Sequence, residues 1–375
     1  MIITRIELKN WKNFAQVDVP CGKRVFVIGP NASGKSNFLD ALRFLKDVAQ
    51  LGLERAVNEQ RGGLKAIRYI NARQDPNIKI AVTLNDEWRY SLTFGSEKGK
   101  SAPRVVEEVV EHKGQSILKR PDKEDKKDAV RLTQTALQQV NSNKDFRDVP
   151  DFFSSIQYRH ILPQLVREPK AFSPTPTSND PFGRDLVYTI WKTPERTRTS
   201  RLKKISNMLG LAVPNLKNLT IKQDENGTPH FEANYKHWRS RGAYQNEAVF
   251  SDGTLRLLAL LWSLLDTSGP LLLEEPELSL HGEIISQLPS LFAQLDTGKK
   301  RATRQVFVTT HSESLLRDEG IGANEIFRLE PSGEGVEVVL ATKEEKQAMK
   351  VGGLTVADVI LPKTRPSNLS QLRLF

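Results

Sequence analysis

Gly29-Pro30-Asn31-Ala32-Ser33-Gly34-Lys35-Ser36 reads G-x-x-x-x-G-K-S, the spacing of a loop that wraps phosphate groups. Before it, Arg24-Val25-Phe26-Val27-Ile28 is an apolar run that predicts a buried strand. After it, Phe38, Leu39, Leu42, Leu45 and Ala49 recur at helical spacing and predict a helix over 36–50. Strand, loop and helix in this order turn a text pattern into a site. The glycines let the backbone come close, so that its N–H groups and the helix N-terminus can hold phosphate oxygens. In such a loop the lysine, here Lys35, reaches the β- and γ-phosphates, and the hydroxyl of Ser36 holds Mg²⁺. Asn31, Ser33, Gly34, Lys35, Ser36 and Asn37 are the candidate nucleotide contacts.

The chain has 375 residues, 38% of them hydrophobic and 27% charged, as a soluble globular protein does. Its longest apolar run, Leu257 to Leu265, interrupted only by Ser263, is too short to span a bilayer. Met1-Ile2-Ile3-Thr4-Arg5-Ile6-Glu7 lacks the layout of a signal peptide. The single cysteine, Cys21, excludes an internal disulfide framework and fits a cytoplasmic setting. A formal charge of +10, from 55 Lys and Arg against 45 Asp and Glu, favours a polyanionic partner such as nucleic acid.

Alternation over 2–19 predicts a strand pair turning near Asn10 to Asn13. Strands are expected at 78–84 and 88–94, and a hairpin at 105–118. Lys119 to Lys127 reads as a solvated loop and Ala129 to Val140 as a helix. Pro150 to Pro181, rich in proline, reads as an irregular segment or lid. Helix is expected again over 182–209, then strands at 219–223 and 230–235. Leu255 to Asp266 is apolar on nearly every side and predicts a buried helix. Leu271-Leu272-Leu273 and Val306-Phe307-Val308 predict central strands, with an amphipathic helix over 284–295 between them and a hairpin over 326–340 after them.

Four pieces of the last third carry chemistry. Phe250-Ser251-Asp252-Gly253-Thr254 precedes the buried helix, and a serine and glycine at a helix N-terminus offer a second phosphate site. Glu274 and Glu275 close the strand 271–273, where carboxylates are costly unless they hold a metal or a water. Glu277-Leu278-Ser279-Leu280-His281 follows directly, with Glu277 readable as a cap and His281 as either a dimer contact or a structural residue. Val306-Phe307-Val308-Thr309-Thr310 runs into His311. Alone, His311 would read as a core histidine; at the end of a buried strand it reads as part of the site.

In this order the pieces resemble the heads of ABC-type ATPases. The start Ile3–Phe14 (ITRIELKNWKNF) and the wide gap between first and later motifs resemble the SMC/RecF/OLD branch. His237–Phe250 (HWRSRGAYQNEAVF), Ser251–Leu265 and Pro270–His281 resemble bacterial AAA-type ATPases found beside nucleases in phage-defence loci. The resemblance implies an α/β fold: a P-loop NTPase of ABC head type with a mixed sheet, an antiparallel β-subdomain and a helical insertion. It implies an N-terminal lobe at 1–95, an inserted lid and β region at 96–240, a C-terminal lobe at 241–345 and a tail at 346–375.

It also implies ATP and Mg²⁺ as cofactors and a division of labour. Glu274, where most of the family has aspartate, would hold Mg²⁺ with Ser36. Glu275 would polarise the attacking water, and His311 would sense the γ-phosphate. Ser251, Asp252 and Gly253 would close on ATP bound to a second protomer, giving a head-to-head dimer. The glutamine of the usual Q-loop has no assigned place, with Gln60 and Gln74 as candidates. S-D-G-T in place of the transporters' S-G-G-Q speaks against a transport ATPase subunit. The expected function is a DNA-linked sensor or regulator of an effector such as a nuclease or toxin, in anti-phage defence or DNA repair. The alternative is a nucleotide-dependent scaffold that hydrolyses weakly, which the glutamate at 274 keeps open.

Two stretches point to partners. Lys192, Arg196, Arg198, Arg201, Lys203 and Lys204 stand against one acid, Glu195, as a DNA-binding face or a solvated helix face. Gln371-Leu372-Arg373-Leu374-Phe375 ends the sequence after a polar leash and resembles the Q-L-x-L-F motif that docks on the DNA polymerase sliding clamp. Packing on the ATPase lobe or on an effector subunit is the other reading of that tail.

Overall fold

The computed structural model describes residues 1–72, 74–97, 101–167, 180–235, 243–266, 269–295, 304–333 and 335–364. The tail motif Gln371–Phe375, the prolines Pro169, Pro174 and Pro176, and the beginning of His237–Phe250 lie outside them. The chain forms two compact units, Met1–Ile156 with Ser268–Leu272 and Thr303–Phe375, and Gln157–Thr267 with Leu273–Ala302.

The first unit starts with two antiparallel strands, β1 (Ile3–Trp11) and β2 (Phe14–Pro20), whose alternating burial matches their alternating sequence. Strand β3 (Arg24–Ile28) is buried and feeds helix α1 (Lys35–Leu51) through the phosphate loop. Gly52 ends α1, and α2 (Leu53–Arg61) stops at Gly62-Gly63, both with positive φ. Strands β4 (Ile78–Leu84), β5 (Trp88–Gly95), β6 (Arg104–His112) and β7 (Gln115–Arg120) complete an antiparallel sheet ordered β2-β1-β4-β5-β6-β7. Its inner face meets α1 through aromatic contacts: Trp11 lies 5.2 Å from Phe44, and Phe44 stacks on Phe94 at 5.1 Å.

The expected helix over 129–140 is instead a 3₁₀ turn, Ala129–Thr133, followed by turns. The backbone N–H groups of Ala136 and Leu137 donate to the buried Glu108 carboxylate at 2.7 and 3.2 Å rather than to a helix ladder. The expected solvated loop at 119–127 is also folded. Asp122 and Asp125 form a capping box on the short helix Lys123–Lys127, and Arg120 is buried against Asp125 and Glu108.

In the second unit a short strand, β8 (Gln157–Arg159), emerges from the proline-containing region that the sequence left irregular. The expected long helix over 182–209 is split at Thr193-Pro194, where proline cannot continue the ladder, into Leu186–Lys192 and α3 (Glu195–Ala212). Strands β9 (Leu216–Gln223), β10 (Pro229–Tyr235) and β11 (Ala243–Gln245) form a three-stranded antiparallel sheet. Helix α4 (Asp252–Leu265) is the apolar centre, with Leu255, Leu258, Leu261 and Trp262 in one core with Ile205, Leu209 and Phe231. Strand β12 (Leu271–Glu274) crosses from the first unit into the second, and α5 (Gly282–Ala293) follows it.

The chain returns to the first unit as β13 (Val306–Thr310), β14 (Ile326–Ser332) and β15 (Gly335–Leu340). Strands β13 and β14 flank β3, both parallel to it, and β15 pairs antiparallel with β14. Leu271 N donates to Gln305 O at 2.9 Å, which sets β12 beyond β13. The strand leading into the phosphate loop is thus central in a mostly parallel sheet, and loops at the carboxyl ends of such strands are where ligands bind. Among the described residues, no helix is long and apolar enough to cross a membrane.

Candidate functional site

The phosphate loop leaves β3 at the buried Gly29 and reaches α1 at Gly34. Ala32 has φ +62° and Gly34 φ +95°, so two loop positions take the left-handed region. At Gly34 the requirement is double. A Cβ there would sit 2.1 Å from Asn13 Nδ2, so no side chain fits. Lys35 is buried, and its Nζ donates to the carbonyls of Gly29 and Pro30 at 3.0 and 3.1 Å. Ser33 Oγ is buried with no hydrogen-bond partner in the described structure. An orphaned hydroxyl and a lysine held against backbone carbonyls, beside a helix N-terminus, fit the phosphates of a nucleotide. The hydroxyl of Ser36, on the exposed first turn of α1, is a hard oxygen donor of the kind Mg²⁺ takes. Asn31 is exposed on the loop. Asn37 donates to Asn13 Oδ1 at 2.9 Å.

Residues beyond the motif hold this loop. Asn13, in the turn between β1 and β2, donates to the Ser33 carbonyl at 2.9 Å. Lys12 pairs with Asp40 at 2.7 Å, and the buried Arg61 of α2 bridges Asp40 and Asp47 of α1 at 2.8 and 2.9 Å. Burial alone would raise the Asp40 carboxyl, but Arg61 and Lys12 hold it below its ordinary value. Burial prevails at Asp47, whose carboxyl is raised. The only sequence signal for these anchors was the basic residues in the first hairpin and before Gly62-Gly63. In the same unit, β13 carries the buried Thr309 and Thr310 and ends on His311, which is exposed. That removes the reading of His311 as a core histidine. Gln60 and Gln74 are both exposed.

The second unit holds the other half of the predicted set. Ser251 caps α4, its Oγ accepting from Thr254 N at 3.2 Å. Asp252 pairs with Arg167, which also donates to the Phe250 carbonyl at 2.8 Å. A Cβ on Gly253 would meet the Ser279 carbonyl oxygen at 2.6 Å, so glycine is what lets α4 begin against the loop after β12. That loop is unusual: Glu275 has φ +43° and Ser279 φ +61°. Non-glycine residues in this region store strain and cluster at active sites. Glu274 ends β12 half-buried, and its carboxylate supplies a second hard oxygen donor type. His281 caps α5 and is exposed, and Glu277 is buried.

Three residues the sequence did not mark surround this end of β12. Tyr158 donates to Glu274 Oε2, and His160 Nδ1 lies 3.4 Å from the Glu274 carbonyl oxygen. Arg159 lines a cavity of about 20 Å³, room for one water, with Arg256, Glu274 and Glu275. Nε of Arg159 and of Arg256 are both buried with no hydrogen-bond partner among the described residues, and burial lowers both guanidinium pKa values. The basic stretch on α3 divides. Arg198 stacks on Trp191 at 4.3 Å and Arg201 on Trp262 at 5.2 Å, while Arg196, Lys203 and Lys204 are exposed.

Residues 24–317 match the family described as “AAA domain, putative AbiEii toxin, Type IV TA system”. Among solved structures, an SMC head bound to the C-winged helix domain of ScpA matches at 17% identity and TM-score 0.56, over 92% of this chain and 99% of that one. The Pyrococcus furiosus SMC head with an extended coiled coil, bound to the C-terminal domain of ScpA, matches at 13% identity and TM-score 0.53, over 94% and 98%. No curated protein matches the chain. At these identities the structural matches establish the fold alone, that of an SMC head domain.

Proposed function

The chain belongs to this AAA-domain family, and from that premise we propose that it binds and hydrolyses ATP with Mg²⁺ and works as an ATP-driven dimerising switch. The observation that carries the reading is the phosphate loop, with its left-handed Ala32 and Gly34, its orphaned Ser33 hydroxyl and Lys35 drawn onto the carbonyls of Gly29 and Pro30. Lys35 and the loop N–H groups hold the phosphates. Ser36 and Glu274 would hold the metal, and Mg²⁺ would there supply neutralisation of phosphate charge. Glu275 polarises the attacking water. His311 meets the γ-phosphate, and Ser251, Asp252 and Gly253 of one protomer close on the nucleotide of another.

A head that dimerises on ATP and parts after hydrolysis is a timer for something else. In this reading its output is an effector protein such as a nuclease or toxin, its input is nucleic acid, and its setting is anti-phage defence or DNA repair. The +10 charge supports the nucleic-acid input. The test is ATP turnover with and without DNA, in the wild-type chain, Lys35→Ala and Glu275→Gln. Turnover that both variants lose, by about 100-fold or more for Glu275→Gln, supports it. Nucleotide binding with no turnover would instead make the chain a scaffold, and unaltered turnover in Glu275→Gln would remove that residue's role.

A further inference from the structure

Strand β8 belongs to no motif, yet its last two residues and the one that follows address the same short segment. Tyr158 and His160 lie two apart, the spacing that puts both side chains on one face of extended backbone. Both meet Glu274, Tyr158 at the carboxylate and His160 at the backbone carbonyl. Arg159 reaches the cavity that Glu274 and Glu275 line.

We propose that Tyr158 is a positioning residue for the metal carboxylate: its hydroxyl fixes Glu274 in the one orientation that serves Mg²⁺. The inference rests on the proposed role of Glu274 and extends it. Glutamate has one more torsion than aspartate, so a glutamate at this place reaches the same point through more rotamers. A hydrogen bond from a neutral phenol selects one of them and orients the carboxylate plane. A carboxylate has about four acceptor positions, so accepting one O–H does not bar it from a metal or a metal-bound water. His160 holds the backbone of the same residue, which keeps the anchor point of that side chain still. Tyr158 thereby offsets the extra torsional freedom that a glutamate side chain brings to this place.

Outer partners that orient metal ligands are worth about 10- to 100-fold in metal affinity or activity. In the full chain, Tyr158→Phe keeps the ring and removes the donor. It should raise the Mg²⁺ concentration for half-maximal ATP turnover about tenfold or more. Mn²⁺ binding to the protein–nucleotide complex, followed by electron paramagnetic resonance, should weaken by the same factor. Nucleotide affinity measured in EDTA should not change.

A purely structural tie would not separate these readouts. In a Glu274→Asp background the shorter carboxylate loses the hydroxyl, so adding Tyr158→Phe should have no further effect on metal affinity. Wild-type metal dependence in Tyr158→Phe, or an undiminished Tyr158→Phe effect in the Glu274→Asp background, overturns the inference while leaving Lys35-dependent turnover intact. A wild-type chain that takes up no metal with nucleotide overturns both this inference and the ATPase reading.

Discussion

Asn13 donates to the Ser33 carbonyl at 2.9 Å and accepts from Asn37 at 2.9 Å, so the first hairpin turn grips the phosphate loop at its middle and at the first turn of α1. One side chain thereby supports backbone that Ala32 and Gly34 hold in the left-handed region. Replacing Asn13 by Ala removes two hydrogen bonds, together about 1–3 kcal/mol. The expected outcome is a KM for ATP raised about tenfold or more with a smaller change in kcat, measured by steady-state kinetics. An unchanged KM would mean that the loop keeps its shape without the hairpin.

Arg61 is the second anchor. Its buried guanidinium faces two carboxylates, Asp40 and Asp47, at 2.8 and 2.9 Å. Removing one partner of a buried ion pair leaves charge without compensation and costs about 3–5 kcal/mol. Arg61→Ala should lower the urea midpoint accordingly, and adding Asp40→Asn with Asp47→Asn should recover part of the loss. A single variant as stable as wild type would contradict the buried pairing.

The antiparallel sheet carries its own pH dependence. The Arg120 hydrogen bond, ahead of backbone donation and against burial, holds the Asp125 carboxyl at about 2. A carboxyl held below its ordinary value of about 4 stabilises the fold above that pH, and the contribution fades as pH falls toward 2. Asp125→Asn should therefore be destabilised at neutral pH, with the gap to wild type closing in urea titrations between about pH 4 and pH 2. A gap that stays constant over that window would assign the effect to packing.

The parts of this molecule that repeat a local pattern were legible in the sequence. Val25 to Ile28, then Phe38, Leu39, Leu42 and Leu45, and Leu255, Leu258, Leu261 and Leu264 are buried as their spacing implied, because burial there follows from periodicity alone. What failed were places where a distant group claims the backbone. Ala136 and Leu137 sit in a helical pattern, but Glu108 takes their N–H groups. Strand β8 lies among prolines, and nothing near Tyr158 in the sequence announces Glu274, 116 residues away. The motif residues could be named from the sequence, whereas the residues that hold them could not.

The basic stretch makes a separable prediction. Arg198 and Arg201 stack on Trp191 and Trp262, so changing them should cost stability before it touches any ligand. Under the nucleic-acid reading the contacts fall to Arg196, Lys203 and Lys204. Changing these three to Glu should weaken DNA binding and flatten its dependence on salt, by fluorescence anisotropy at several ionic strengths. Equal affinity at low salt would return this face to plain surface.

In the proposed switch, ATP joins two heads and Glu275 ends the union. The most direct measurement is the solution mass of Glu275→Gln by light scattering after gel filtration, with and without ATP and Mg²⁺. The mass should lie near the 42.3 kDa monomer without nucleotide and at twice that with ATP, reversed by adding Ser251→Arg at the face that closes on the partner's nucleotide. A Glu275→Gln chain that binds ATP yet keeps its nucleotide-free mass would contradict it.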